Sequence, residues 1–239
     1  MERMNKLIAL LEQEGIDCPA DLGTQLLKFE EQLLETNKVM NLTAITDPQE
    51  MMKKHYWDSI FPIAKGIFPQ GATCIDVGCG AGFPSLPLKF ARPDLQMTLL
   101  DSLNKRLNFI DGIITAQNLQ GIQTLHARAE DAGRNKGLRG SFDIAVSRAV
   151  AELSKLAEYC LPLVKKGGAL IAYKGATAEE ELQNAQAAIK ILGGKVEEVY
   201  QYTLPEEEDK RAIIVIRKIS DTPKQYPRSP KAIKEKPLK

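Results

Sequence analysis

Apolar positions in the first seventy residues recur with helical spacing. Met4, Leu7, Ile8 and Leu11 fall at i, i+3, i+4 and i+7, one face of a helix. Leu22, Leu26, Phe29 and Leu33, flanked by Leu27 and Leu34, form a second stripe, with Asp21 where an N-cap is expected. Met52, Tyr56, Ser59 and Ile60 predict a third helix that ends near Pro62. No β-rich run precedes residue 73.

Beyond that point the period changes. Short apolar runs at 73–77, 97–100, 124–126, 144–146, 169–173, 196–202 and 212–216 read as strands. Helical stretches at 84–91, 104–117, 152–161 and 178–192 alternate with them. Such alternation predicts an α/β fold, a parallel sheet with helices on both faces. No helix separates the last two strands. The polar turn Pro205-Glu206-Glu207-Glu208-Asp209-Lys210-Arg211 joins them, so they are expected to be an antiparallel hairpin at the end of the sheet. Pro69 and Gly71 punctuate a boundary. The expected organisation is a helical cap over 1–70, an α/β domain over 71–218 and a tail over 219–239.

Composition adds limits. The chain has 239 residues, 44% hydrophobic and 26% charged, as in ordinary soluble globular proteins and long enough for a core without staples. No run of eighteen apolar residues exists, so no membrane span is expected. The polar start Met1-Glu2-Arg3-Met4-Asn5 lacks a secretion-signal pattern, so a cytoplasmic protein is expected. The four cysteines form no C-x-x-C pair, which suggests neither a metal site nor a disulfide framework.

The net charge of +1 is unevenly placed. Residues 1–70 carry 7 Lys/Arg against 11 Asp/Glu, residues 71–150 carry 9 against 7, and residues 151–216 carry 8 against 11. Residues 217–239 carry 8 against 2, a net of +6. The near-neutral total argues against blanket nucleic-acid binding, whereas a terminal basic block leaves room for a local contact with phosphates. Pro223, Pro227, Pro230 and Pro237 forbid a long helix there. The tail therefore reads either as a solvated end or as an arm that meets phosphates.

The strongest chemical signal is Asp76-Val77-Gly78-Cys79-Gly80-Ala81-Gly82-Phe83-Pro84. A strand delivers an acid, then glycines at alternate positions, then a proline suited to open a helix. Ligands of open α/β sheets bind at the carboxyl ends of the strands, so this is a nucleotide-type site. A dinucleotide fingerprint would need a small residue where Phe83 stands, and no G-K-[ST] follows, which excludes a phosphate-binding P-loop. Asp101 ends the second strand, placed to accept hydrogen bonds from a ribose diol. Asp76 either holds an ammonium group or ties the loop.

An acidic glycine loop with an acid at the next strand end resembles the S-adenosylmethionine-dependent methyltransferases and their Rossmann-like sheet. The detail goes further. Asp76–Lys89 (DVGCGAGFPSLPLK), Asn41-Leu42-Thr43-Ala44-Ile45, His55-Tyr56-Trp57-Asp58-Ser59, Ser102-Leu103-Asn104-Lys105-Arg106, Ser147-Arg148-Ala149 and Tyr226-Pro227-Arg228 together resemble the bacterial 16S ribosomal RNA guanine-N7 methyltransferase family. That resemblance covers nearly the whole chain.

The resemblance implies methyl transfer from S-adenosyl-L-methionine to N7 of one guanine of 16S ribosomal RNA, in the 530 loop. It carries cofactor contacts to Gly78, Phe83, the pair Ala129-Glu130 and Arg148. The physical reading adds Asp76, Gly80, Gly82 and Asp101. His55, Arg106, Arg128, Lys174 and Arg228 are the candidate RNA contacts. His55 alternatively packs between cap and sheet, and Arg148 alternatively pairs with a nearby carboxylate. No catalytic side chain is expected, because N7 has an exposed lone pair and no proton need leave before attack; alignment supplies most of the catalysis. The fourth strand ends in Ser147-Arg148-Ala149, without the [DNS]-P-P-[YF] signature of exocyclic-amine methylation. Thr73-Cys74 lies in a buried strand, which disfavours nucleophilic catalysis. The expected partner is 16S ribosomal RNA or the small ribosomal subunit, with no DNA or membrane partner and a monomeric state. A methyltransferase of small molecules or proteins, or an RNA-binding scaffold with a degenerate site, shares part of this pattern.

Overall fold

The apolar runs beyond residue 73 form strands, as their β-branched content favours. They are β1 (Thr73–Val77), β2 (Gln96–Asp101), β3 (Ile122–His126), β4 (Phe142–Arg148), β5 (Val164–Lys174), β6 (Gly194–Thr203) and β7 (Lys210–Lys218). The computed structural model, which describes residues 1–238, joins them into one seven-stranded sheet in the order β3-β2-β1-β4-β5-β7-β6. The pairs β1–β2, β2–β3, β1–β4 and β4–β5 are parallel. β7 runs antiparallel to both β5 and β6. The hairpin therefore closes the sheet as expected, with β7 inserted and β6 left at the edge.

The chain leaves β1 outward through β2 and β3, then returns to place β4 on the other side of β1. This reversal opens a crevice at the carboxyl ends of β1 and β4, the usual ligand position in such sheets. The connecting helices are α5 (Ser85–Ala91), α6 (Asn104–Ala116), α7 (Ala129–Arg134), α8 (Leu153–Cys160) and α9 (Ala178–Ile191). The six-residue α7 is too short for a periodic pattern to reveal.

The cap holds α1 (Glu2–Gln13) and α2 (Leu22–Met40). Met4, Leu7 and Leu11 of α1, and Leu22, Leu26, Phe29 and Leu33 of α2, are all fully buried. One apolar cluster runs from them through Phe83, Phe90 and Phe109 to one face of the sheet. Phe29 stands at its centre, with ring centroids 5.3, 6.1 and 6.3 Å from those three phenylalanines. A second cluster joins α8 and α9 to the opposite face. Asp21 takes the N-cap position of α2 but makes no side-chain capping bond.

The third cap helix differs from the expectation. It runs as α3 (Pro48–Glu50), a π-helix (Met51–Trp57), α4 (Asp58–Ile60) and a 3-10 turn (Phe61–Lys65). Pro62 does not end it, because in the 3-10 turn proline occupies an early position where its missing N–H matters little. The left-handed Gly66 stops it instead. π-Helical turns concentrate at functional sites, and this one carries His55 and precedes Asp58. The tail also folds: residues 219–238 run across α7, α8 and α9, with a short α10 (Pro230–Glu235) opened by Ser229, whose hydroxyl accepts from the Ala232 N–H. No helix among the described residues is long and apolar enough to cross a membrane.

Candidate active site

A cavity of about 660 Å³ opens at the reversal between β1 and β4. Its floor is the glycine loop. Gly78 and Cys79 donate backbone N–H groups to the Leu100 carbonyl at 2.8 and 3.1 Å, locking the loop to the end of β2. Gly78 has φ +79°, and a Cβ there would lie 2.6 Å from Cγ2 of Val150. Gly80 has φ +57°, and a Cβ there would meet nothing within 4 Å, so backbone faces open space. Gly78, Gly80 and Phe83 line the cavity, whereas Gly82 lies behind it against Leu86.

Asp76 also lies outside the lining, fully buried. It accepts from the Ser85 hydroxyl at 2.6 Å through Oδ2 and leaves Oδ1 without a partner. Burial pushes its pKa up to about 7 against the opposing effects of Ser85 and Arg148. Of the two roles expected for Asp76, tying the loop is the one its contacts perform. Asp101 lines the cavity and braces it: Oδ2 accepts from Gly80 N at 3.0 Å, and Oδ1 from Leu103 N at 2.8 Å. Oδ2 also accepts from Arg106 at 3.5 Å, whereas Oδ1 has one lone pair left for a ligand hydroxyl. Ala129 and Glu130, at the start of α7, line the same wall with Tyr159 of α8.

The opposite wall comes from the cap. His55 stacks on Phe83 with ring centroids 4.2 Å apart, and its Nε2 lies 2.9 Å from Thr43 Oγ1. Burial, helped by the nearby Arg148, pushes the imidazole pKa down to about 3, so the ring is neutral. His55 thus packs between cap and sheet, the alternative expected for it, and also lines the cavity. Asn37 fixes the Thr43 turn by donating to its carbonyl at 3.0 Å and accepting from its N–H at 2.9 Å. Arg148 lines the cavity with its guanidinium carbon 5.3 Å from the Phe83 centroid. It also pairs with Asp58, so the carboxylate partner considered for it exists alongside the cavity position.

Arg106 and Arg128 line the cavity, Arg106 with its Nη1 3.5 Å from Oδ2 of Asp101. Lys174 and Arg228, also candidate RNA contacts, do not line this cavity. Lys174 donates to Ala151 O at 2.7 Å and pairs with Glu181 at 2.6 Å. Arg228 binds Glu158 through its backbone N–H and its guanidinium. Glu158 is buried, so Arg228 compensates a charge that would otherwise stand alone, whereas Glu181 is only half-buried.

The turn at Asn41–Thr43, read from sequence as lying beside the substrate cleft, does line the cavity through Leu42 and Thr43, whereas Lys54, Asp58, Tyr159 and Arg211 are among the lining residues that were not singled out. Arg211 had a positional signal, because the start of an antiparallel strand lies at the carboxyl edge of its parallel neighbours. Asp58 had only its place within the His55–Ser59 motif.

The sequence and the fold have parallels among known proteins. A family model described as rRNA small subunit methyltransferase G matches residues 23–213. The chain is 50% identical to the ribosomal RNA small subunit methyltransferase G of Lactobacillus johnsonii, over 95% of this chain and 96% of that protein. It is 47% identical to that of Listeria monocytogenes, over 92% of each. Among solved structures, a SAM-dependent methyltransferase from Methanosarcina mazei superposes with a TM-score of 0.53 at 13% identity, covering 67% of this chain and 98% of that one, a likeness of fold. Identity of this extent across almost the entire length places the chain in the rRNA small subunit methyltransferase G family.

Proposed function

We propose that this protein transfers the methyl group of S-adenosyl-L-methionine to N7 of a guanine in 16S ribosomal RNA, in the 530 loop. The observation that carries the reading is the joining of the glycine loop, Asp101 and Glu130 around one cavity with the neutral, stacked His55–Phe83 wall opposite them. The cavity suits the cofactor: backbone at Gly80 faces open space, and acidic side chains stand at the end of β2 (Asp101) and in the first turn of the helix after β3 (Glu130).

When bound, the cofactor supplies a methyl group on a positively charged sulfur. Asp101 is positioned to hold ribose hydroxyls, Glu130 and Ala129 to border the adenine, and the loop at Gly78–Gly80 to lie against the amino-acid portion. Phe83 and His55 offer an uncharged aromatic surface beside the incoming base. A neutral His55 suits this chemistry, because alkylating N7 creates positive charge on the purine and a nearby imidazolium would oppose it. Arg106 and Arg128, which line the cavity, supply phosphate contacts. No proton leaves the attacked nitrogen, so the side chains align and exclude water rather than act as bases. RNA is the macromolecular partner, with a monomer as the working unit.

Purified protein given methyl-labelled S-adenosylmethionine and unmodified small-subunit RNA tests the proposal. The expected result is label in RNA, lost in Gly78→Asp. Label in neither RNA nor assembled subunits would overturn it.

A further inference from the structure

The basic tail carries an arrangement unlike a free arm. Arg228 donates to Glu158 four times: its backbone N–H to Oε1 at 2.7 Å, Nε to Oε1 at 2.9 Å and Oε2 at 3.2 Å, and Nη2 to Oε2 at 2.7 Å. The Glu158 side chain is only 1% exposed. Nη1 of Arg228 also donates to the Lys236 carbonyl at 2.9 Å, closing the tail on itself. One residue earlier, Pro227 packs on Gly133 of α7, where a Cβ would lie 3.0 Å from its Cγ. Arg139 completes the attachment, donating to Gly133 O and Tyr226 O at 2.8 Å each and to Thr222 O at 2.7 Å.

These anchors share one target. Glu158 adjoins Tyr159, and Gly133 lies on the helix that begins with Ala129 and Glu130; Tyr159, Ala129 and Glu130 all line the cavity. A six-residue helix has little stability of its own, so its position depends on what packs against it. We propose that the C-terminal segment is a strap that fixes the α7–α8 wall of the cofactor cavity, with Arg228 as a positioning residue acting through Glu158. The inference rests on the cavity's being the S-adenosylmethionine site. It gives Arg228 a role in cofactor affinity and removes it from the RNA-contacting set.

The test compares Arg228→Gln, which keeps the backbone donation to Glu158, with Arg217→Gln. The latter breaks an ion pair to Glu197 at the end of β7 from which the tail leaves, opposite the end that carries the cavity-lining Arg211. Amide hydrogen exchange reads the wall without cofactor, and calorimetry with S-adenosylmethionine reads affinity. The expected result for Arg228→Gln is faster exchange confined to 127–134 and the adjoining turn of α8, with roughly tenfold weaker cofactor binding. RNA affinity should be unchanged, and at saturating cofactor kcat should stay within about twofold of wild type. Arg217→Gln should alter neither the exchange at 127–134 nor cofactor affinity. If Arg228→Gln does not fold, Gly133→Ala presses the same contact from the helix side and is judged on the same two readouts. Unchanged exchange at 127–134, or faster exchange with wild-type cofactor affinity, would overturn the strap. Loss of RNA affinity at constant cofactor affinity would also overturn it and return Arg228 to the RNA. Failure of the wild-type protein to bind S-adenosylmethionine would refute the functional reading itself, and with it the cofactor role of the strap.

Discussion

Arg148, at the end of β4, donates through Nη1 to Oδ2 of Asp58 in the cap at 2.8 Å, and the same nitrogen donates to the Lys54 carbonyl at 3.1 Å. Asp58 accepts from the Tyr202 hydroxyl at 2.8 Å through its other oxygen. The side chains of Arg148 and Asp58 are 12% and 3% exposed, so this pair is a buried link between helical cap and sheet. Removing Arg148 alone leaves a carboxylate buried without its cation, which costs about 3–5 kcal/mol. Arg148→Ala is therefore expected to lose stability on this scale in urea unfolding, and Asp58→Asn to lose less. Equal stability of Arg148→Ala and wild type would show that the pair does not hold the cap.

The glycine loop separates backbone conformation from space. Gly80→Ala places its methyl in the open, with a strain of about 1–2 kcal/mol from the left-handed backbone. Gly78→Asp adds a collision with Val150 to the same strain and brings a carboxylate to the cavity floor. Calorimetry with S-adenosylmethionine should show weakened binding for Gly80→Ala and no detectable binding for Gly78→Asp. Equal affinity in Gly78→Asp would contradict the site assignment.

Asp76 makes stability depend on pH with an unusual sign. In the unfolded chain it ionises near its ordinary value of 3.8, whereas burial holds the folded carboxyl protonated up to about 7. Between those values the folded protein binds more protons, so the Asp76 contribution falls as pH rises from about 4 to about 7 and is level above. Asp76→Asn should lack this slope. Its advantage over wild type in urea unfolding is expected to grow from pH 4 to pH 7, and an advantage that shrinks would contradict the buried, protonated carboxyl.

His55 bends the profile the other way. Its ordinary pKa of 6.5 is lowered to about 3 by burial and by Arg148. The unfolded chain takes up a proton that the folded chain refuses, so stability from this residue declines as pH falls below about 6.5. Its ring proton resonances should not move between pH 5 and pH 8. A midpoint near 6.5 would place an imidazolium beside Phe83 and undo the neutral-wall argument.

Much of this was legible along the chain because local and tertiary preferences agree. Runs such as Thr73–Val77 and Ala169–Tyr173 form strands by composition, and the loop from Asp76 to Pro84 needs its glycines for backbone reasons alone. The π-helix was not legible, because its change of pitch accompanies the tertiary burial of Tyr56 and Trp57 rather than a propensity. Charge was the least transparent feature. Lys174 and Arg228 read as candidate RNA contacts, yet each meets a carboxylate brought near by folding, Glu181 on the next helix and Glu158 seventy residues away. The start of α10 did carry a local signal, Ser229 followed by Pro230, a cap and first-turn pair.

The most direct test of the function is borohydride–aniline cleavage of 16S ribosomal RNA, which cuts the chain at N7-methylguanine. RNA from cells lacking this protein should lose one cut, in the 530 loop, and incubating it with the purified protein and S-adenosylmethionine should restore that cut. Retention of every cut in the deletion strain, or failure of wild-type protein to restore the missing one, would contradict methylation at guanine N7.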